Sequence, residues 1–124
     1  MLEPIDIRHG WNRIKDGLVE LSKKCDWIPE DIYHSCKSGA SQLWIAAEGF
    51  VILQIMTNEF TGAKELLVWI AVGEGFVQDK YLPQIEQIAR SVGAKTVKME
   101  SPRLGFARKG WDIEKVTYSR EVPL

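Results

Sequence analysis

Residues 66–100, LLVWIAVGEGFVQDKYLPQIEQIARSVGAKTVKME, decide the fold. The first seven of them, Leu66–Val72, are apolar without alternation, which predicts a central strand of a sheet that is covered on both faces. A buried helix of that length is the weaker alternative. A Gly-x-Gly turn formed by Gly73 and Gly75 follows the strand. This turn separates the strand from the most regular helical pattern of the chain.

The helical pattern runs from Tyr81 to Val92, where apolar residues recur every three or four positions. Asp79 is predicted to cap its N-terminus, Pro83 falls in or near the first turn, and Gly93 suits a left-handed C-terminal cap. The next seven residues, AKTVKME, alternate as a strand. A strand, a helix and a strand in this order form a right-handed crossover, so the two strands should be parallel neighbours.

The N-terminal half predicts two helices and a hairpin. An apolar stripe over roughly Arg8–Lys24 predicts an amphipathic helix. Pro29 then opens a shorter helix that Gly39 can end. The following segment, SQLWIAAEGFVILQIMT, consists of two β-rich runs with Glu48 and Gly49 between them, which is typical of an antiparallel hairpin.

Together these elements predict an α+β fold in a single domain, residues 1–124. Its mixed sheet contains an antiparallel hairpin and a parallel strand–helix–strand crossover, preceded by N-terminal helices. A short helix over Arg103–Arg108 and a last strand in WDIEKVTYSREV are predicted to complete it. With 124 residues and 45% hydrophobic content, the chain can build one ordinary core.

The composition excludes several classes of function. Sixteen basic and seventeen acidic side chains give a net charge of -1, so we expect no nucleic-acid partner. The longest apolar run is too short to cross a bilayer and the start lacks a signal-peptide pattern, so we expect a cytoplasmic protein without a membrane partner. Cys25 and Cys36 lack a CxxC motif or a Cys/His cluster, so we expect no metal site.

The segment AVGEGFVQDKYLPQIEQIARSVGAKTVKMESPRLGFARKGW resembles the GNAT superfamily of N-acetyltransferases. In that superfamily, the loop after a central strand binds the pyrophosphate of acetyl-coenzyme A at a helix N-terminus. The strand itself splays from its parallel neighbour. A short helix further along ends in a Gly-aromatic pair, here Gly110-Trp111. The resemblance implies a coenzyme loop formed by Val72, Gly73, Glu74 and Gly75.

The loop departs from the family pattern, which reads Arg/Gln-x-x-Gly-x-Gly/Ala. Ile70 stands where the Arg or Gln belongs, and Glu74 places a carboxylate between the glycines. A carboxylate at that position repels a pyrophosphate. We therefore interpret the acetyl-coenzyme A motif as degenerate and expect no cofactor, with acetyl-coenzyme A as the cofactor if the fold has kept its activity.

The resemblance also implies positions for the catalytic groups. The acid that protonates the departing thiolate is often a tyrosine four residues before the Gly-aromatic pair, and here that position is Phe106, which has no hydroxyl. Tyr118 is a substitute that no spacing supports. The general base is commonly a carboxylate on the central strands or a water chain. Glu65 and Glu48 are the candidates, although the sequence favours a solvated position at a strand end for either one.

Two functions remain open on the sequence alone. The first is a non-catalytic binding or assembly protein with a protein partner, for which five tryptophans offer aromatic anchors, and a homo-oligomer is compatible with it. Small phage-encoded GNAT-like proteins, some associated with virion or head assembly, have a similar RKGW before the last strand. This likeness implies a role in phage morphogenesis, in the host cytoplasm or the virion. The second function is a divergent acetyl-coenzyme A-dependent N-acetyltransferase.

Overall fold

A computed structural model describes residues 1–74, 77–100 and 120–123 of the chain. These residues form a five-stranded sheet with helices on both faces. In chain order, the elements are β1 (Glu3–Ile5), α1 (Ile7–Ser22), α2 (Pro29–Lys37), β2 (Ser41–Ala46), β3 (Gly49–Thr57), β4 (Lys64–Gly73), α3 (Val77–Lys80), α4 (Leu82–Ser91) and β5 (Ala94–Met99).

The sheet has the predicted mixed topology. Its strands lie side by side in the order β1-β2-β3-β4-β5. Neighbours are antiparallel from β1 to β4, whereas β4 and β5 are parallel. The predicted α+β class, the hairpin and the parallel crossover are therefore confirmed, and the apolar run Leu66–Val72 is a strand between two neighbours.

Each face of the sheet packs against its own helices. On one face α1 and α2 bury side chains such as Ile14, Leu18 and Ile32 in a cluster with the sheet. On the other face α3 and α4 contribute a second cluster, which includes Val77 and Ile85. β4 contributes side chains to both clusters, which explains why its sequence is apolar without alternation.

A bulge in β4 changes which face its side chains reach. Ile52 of β3 pairs with Ile70, but the next residue of β3, Leu53, pairs with Val68, so Trp69 is the extra residue. Before the bulge Val68 belongs to the α3–α4 cluster, and after it Ile70 belongs to the α1–α2 cluster. Such bulges re-aim side chains and often lie next to functional sites.

Two local features differ from the sequence predictions, and a third agrees with them. The strand β1 was not predicted, and its Pro4 blocks the outer sheet edge because proline has no N–H to donate. Asp79 is not the N-cap of the long helix: it lies within the short helix α3, and Tyr81 is the cap residue of α4. Gly93 has a φ of 80° directly after that helix, as predicted.

Part of the predicted fold falls outside the described residues, namely the short helix over Arg103–Arg108 and most of the last strand. Within residues 1–74, 77–100 and 120–123, no helix is both long and apolar enough to span a bilayer.

Candidate functional site

The C-terminal end of β4 is held against the start of β3 by a close approach of two glycines. Gly73 pairs with Gly49. A Cβ atom on Gly49 would lie 2.0 Å from the carbonyl oxygen of Val72, and one on Gly73 would lie 2.6 Å from that of Glu48. Both contacts are with backbone atoms, which cannot move aside as a side chain could. Glycine is therefore required at both positions, so Gly73 has a structural role besides the predicted coenzyme role.

The amide of Glu74 is already used within the protein. Its N–H donates to the carbonyl oxygen of Glu48 at an N···O distance of 3.1 Å, which ties the loop to the β2–β3 turn. A phosphate-binding loop depends on backbone N–H groups that point at the anion. The Glu74 side chain is exposed, and Val72 is half-buried against the α1–α2 cluster. Gly75, the fourth predicted loop residue, lies outside the described residues.

The Glu48 carboxylate lies beside the start of α4 and accepts two donors. The hydroxyl of Tyr81 donates to its Oε2, and the ammonium Nζ of Lys80 lies 3.1 Å from the same oxygen. The Tyr81 hydrogen bond, followed by Lys80, lowers the pKa of Glu48. Conversely, the hydrogen bond to Glu48 raises the pKa of Tyr81 and that of Lys80. We call Glu48, Lys80 and Tyr81 the Glu48 cluster.

Two members of this cluster, Lys80 and Tyr81, are not among the site residues predicted from the sequence. Tyr81 was assigned to the apolar face of the helix, and it is indeed partly buried against the α3–α4 core. A signal was present, however, because tyrosine at the end of an apolar stripe carries a polar tip that usually finds a partner. No sequence pattern indicated Lys80, because its ion pair forms only when the β2–β3 turn brings Glu48 close to the end of α3.

The other predicted base, Glu65, lies near the opposite end of β4. Its Oε2 is 2.7 Å from Nζ of Lys98 on β5, and the side chains are only 14% and 27% exposed, respectively. Eight residues separate Glu65 from Gly73, which corresponds to about 26 Å along a strand. The structure therefore places Glu48 at the loop but not Glu65. Tyr118 and Phe106 lie outside the described residues.

The seam between β4 and β5 is paired over only half of β4. Among the described residues, β4 pairs with β5 from Lys64 to Val68, where Val68 is opposite Met99. β5 ends at Met99, whereas β4 continues for five residues along β3. The bulge at Trp69 begins where this pairing ends. This is the region in which the resemblance implies a slot for the pantetheine arm.

The remaining predicted sites give a mixed result. Trp27 is buried and Trp11, Trp44 and Trp69 are half-buried, so none of the four tryptophans that the structure describes is a fully exposed aromatic anchor. The most exposed aromatic side chain in the described ranges is Phe60, at 94%. In the same ranges, no three His, Cys, Asp or Glu side chains come together as a possible metal site.

Several solved structures with a similar course of the chain are acetyltransferases. The ribosomal-protein-alanine N-acetyltransferase from Brucella melitensis biovar Abortus 2308 superposes with a TM-score of 0.73 over 98% of this chain and 99% of that one, at 12% identity. An aminoglycoside acetyltransferase from an uncultured soil metagenomic sample, in complex with sisomicin, gives 0.68 over 99% and 96%, at 11% identity. The chain has the GNAT fold. At these identities the likeness concerns the fold alone.

Sequence comparisons add less to the GNAT assignment. No family model matches the chain. A curated relative, the isoleucine–tRNA ligase of Corynebacterium diphtheriae, is 26% identical over 92 residues. That stretch is 74% of this chain but only 8% of the ligase. The chain thus spans a small part of that enzyme's length.

Proposed function

We propose that this chain is a GNAT-fold protein that binds another protein and does not transfer acetyl groups from acetyl-coenzyme A. One observation supports the proposal: Glu48 is bonded both to the loop after β4, which the resemblance implies for the pyrophosphate, and to the residues that precede α4. Its carbonyl oxygen accepts the Glu74 amide. Its carboxylate accepts the donors of Tyr81 and Lys80 at the start of the following helices.

Electrostatics supports the same conclusion. A pyrophosphate at this loop would approach the side chains of two glutamates, Glu48 and Glu74, and like charges at short distance repel each other. The cation closest to Glu48, Lys80, is already paired with it. The hydrogen bonds that lower the pKa of Glu48 keep it ionised at neutral pH, so the repulsion persists under physiological conditions.

A thermal melt with acetyl-coenzyme A tests this proposal. A ligand at 100 times its dissociation constant stabilises the native state by about 2.7 kcal/mol, which would raise the melting temperature of a domain of this size by about 10 °C. We expect no shift at millimolar acetyl-coenzyme A, with an active GNAT enzyme as the positive control. A saturable rise in the melting temperature would refute the proposal.

A second function is favoured by Glu65. A divergent N-acetyltransferase needs a carboxylate near the acyl end of the coenzyme, and the pantetheine arm carries that end away from the pyrophosphate. Glu65 fits this requirement better than Glu48, because it lies on the β4–β5 seam, largely buried and paired with Lys98. If this function holds, Glu65→Gln should abolish release of free coenzyme A in a thiol assay with amine acceptors. The exposed Glu86→Gln variant should leave that release unchanged.

The narrower form of the proposal is a role in phage head or virion assembly. It rests on the RKGW sequence before the predicted last strand, which lies outside the described residues. Mass spectrometry of purified virions from a phage that encodes the chain would test it. Detection at a fixed copy number is expected, and its absence from virions and from procapsids would contradict the assembly role.

A further inference from the structure

The loop between β3 and β4 presents an apolar side chain to solvent on a rigid backbone. Asn58 Oδ1 accepts the amides of Phe60 at 2.9 Å and Thr61 at 3.1 Å. The Asn58 amide donates to Ala63 O at 2.8 Å, and the Gly62 amide donates to Asn58 O at 2.9 Å. These bonds fix the backbone, yet the Phe60 side chain is 94% exposed. A rigid loop loses little conformational entropy when it binds.

Further apolar side chains are exposed on β3, the strand that leads into this loop. β3 extends three residues beyond its pairing with β2, which ends at Ser41 opposite Gln54. Two of these three residues, Ile55 and Met56, are large, apolar and exposed, and as consecutive strand residues they lie on opposite faces of the sheet. We call the loop of residues 58–63, which presents Phe60 to solvent, the hairpin knob.

A groove of about 450 Å³ lies at the same end of the sheet as this loop. Its lining includes the first residues of β2, which pair with β3 just before the loop. Ile5, Ile7, Cys36 and Leu43 supply its apolar lining. Burial raises the pKa of the Cys36 thiol to about 11, so this lining is uncharged at neutral pH. The volume lies within the range of pockets that hold small ligands, which is ample for a phenyl ring.

The charges at the groove and at the knob are opposite. Arg8 and Lys37 line the groove, and although Asp6 is also there, it is tied to Arg8 by an ion pair of 2.8 Å. Lys37 has no ion-pair partner among the described residues, which leaves the groove with a net positive charge. Next to Phe60 stands the exposed carboxylate of Glu59. A phenyl ring beside a carboxylate matches an apolar groove with a cationic rim.

We propose that the hairpin knob of one copy of this chain inserts into the groove of a second copy, with Phe60 in the groove and Glu59 facing Lys37. Because knob and groove lie at the same end of the sheet, two copies can exchange these contacts about a two-fold axis, and the dimer closes. Pro4 protects the outer edge of β1, so pairing of those edges does not compete. The inference rests on the proposed binding role but not on the absence of acetyl transfer.

Sedimentation velocity over a concentration series tests the dimer. We expect the wild-type chain to shift from a monomer of 14.1 kDa to a species of twice that mass as its concentration rises towards millimolar. Phe60→Ser should weaken the dimer about 30-fold, because truncating a central aromatic anchor has that effect in typical interfaces. Ile28→Ser removes an exposed apolar side chain elsewhere and should change nothing.

A charge exchange tests the pairing itself. Glu59→Lys and Lys37→Glu should each weaken the dimer, and the double variant should restore it, since each contact again joins opposite charges. Lys24→Glu makes the same charge change at an exposed position outside the groove and should have no effect. A wild-type chain that stays monomeric overturns the proposal, as does a dimer that is insensitive to Phe60→Ser or a double variant without rescue. Such failures would leave the acetyl-coenzyme A melt, and hence the rest of the proposed function, unaffected.

Discussion

A glutamate carboxylate lies at each end of β4, and the two carboxylates have different surroundings. At the start of the strand, Glu65 is 14% exposed and pairs with Lys98 across the parallel seam. At its far end, Glu48 is 28% exposed and reaches across from the β2–β3 turn to Lys80 and Tyr81. The first carboxylate joins two strands, whereas the second joins a turn to the helices that follow the strand.

This difference shows which features of the GNAT fold are present in the described residues. The seam, the bulge and the two apolar clusters depend on strand packing, and they are all present. A phosphate-binding loop depends on free amides, and after β4 the Glu74 amide donates to the backbone carbonyl of Glu48, whose carboxylate pairs with Lys80. The fold is thus that of solved acetyltransferases, and one amide of the loop after β4 is bonded within the chain.

The largest effect is expected where the far end of β4 approaches β3. Gly49→Ala places a Cβ 2.0 Å from a backbone carbonyl oxygen, so the strands must separate. We expect a loss of at least about 4 kcal/mol, seen as a fall in melting temperature of roughly 15 °C or as loss of a cooperative transition. Gly39→Ala is the matched control: nothing lies within 4 Å, and only its φ of 87° causes strain, of about 1–2 kcal/mol. Equal effects of the two variants would contradict the close approach.

The next effect concerns the seam. Glu65→Gln leaves the ammonium of Lys98 largely buried without its carboxylate, and we expect this to cost about 2 kcal/mol in the free energy of unfolding. Lys98→Met in the same background should recover part of that loss, because it removes a largely buried ammonium that no longer faces the Glu65 carboxylate. Urea unfolding curves measure both variants. A cost below that of Glu86→Gln, an exposed control, would show that the seam pair contributes nothing.

A smaller expected effect is a dependence of stability on pH that comes from Glu48. The pKa of Glu48 is lowered in the folded state, so its contribution to stability is fully present above its unfolded value, about 4.3, and is lost as the pH falls through the folded value. The melting temperature of the wild-type chain should therefore exceed that of Glu48→Gln at neutral pH, and this difference should shrink below about pH 4. A difference that is independent of pH down to full protonation would contradict the cluster.

The smallest effect is a change in one pKa. Tyr81→Phe removes the hydroxyl that contributes most to lowering the pKa of Glu48, while Lys80 remains. A carboxyl titration followed by NMR should show the pKa of Glu48 moving up towards its usual value. Tyr33→Phe, a tyrosine packed against Trp11 on the other face of the sheet, is the control and should leave that pKa unchanged.

Most of the fold could be predicted because it depends on periodicity. The unbroken apolar run of β4 reflects burial on both faces of the sheet. The helical repeat after it reflects burial of one face of α4. β1 could not be predicted, since three residues around Pro4 carry no repeat and their pairing with β2 depends on tertiary contacts. The break between α3 and α4 at Tyr81 was not predicted either. Aspartate is a common N-cap residue, but Asp79 lies within α3 and does not occupy the cap position of α4.

The candidate site was predicted less well than the fold. Sequence reasoning singled out Glu74 and Glu48 separately, as an obstacle in the loop and as a possible base. It could not show that the Glu74 amide donates to Glu48, because that bond depends on the register between β3 and β4. Spacing along the chain predicts which residues share a face, but contacts between a turn and a distant helix require the folded structure.

One measurement tests the central claim at the atom concerned. The amide resonance of Glu74 can be followed by NMR, both in hydrogen exchange and during a titration with acetyl-coenzyme A. Because this N–H donates to Glu48 within the chain, we predict that it exchanges slowly and that its resonance stays unchanged at millimolar acetyl-coenzyme A. Fast exchange, or a saturable shift of the Glu74 and Gly73 amides on addition of the coenzyme, would contradict the account.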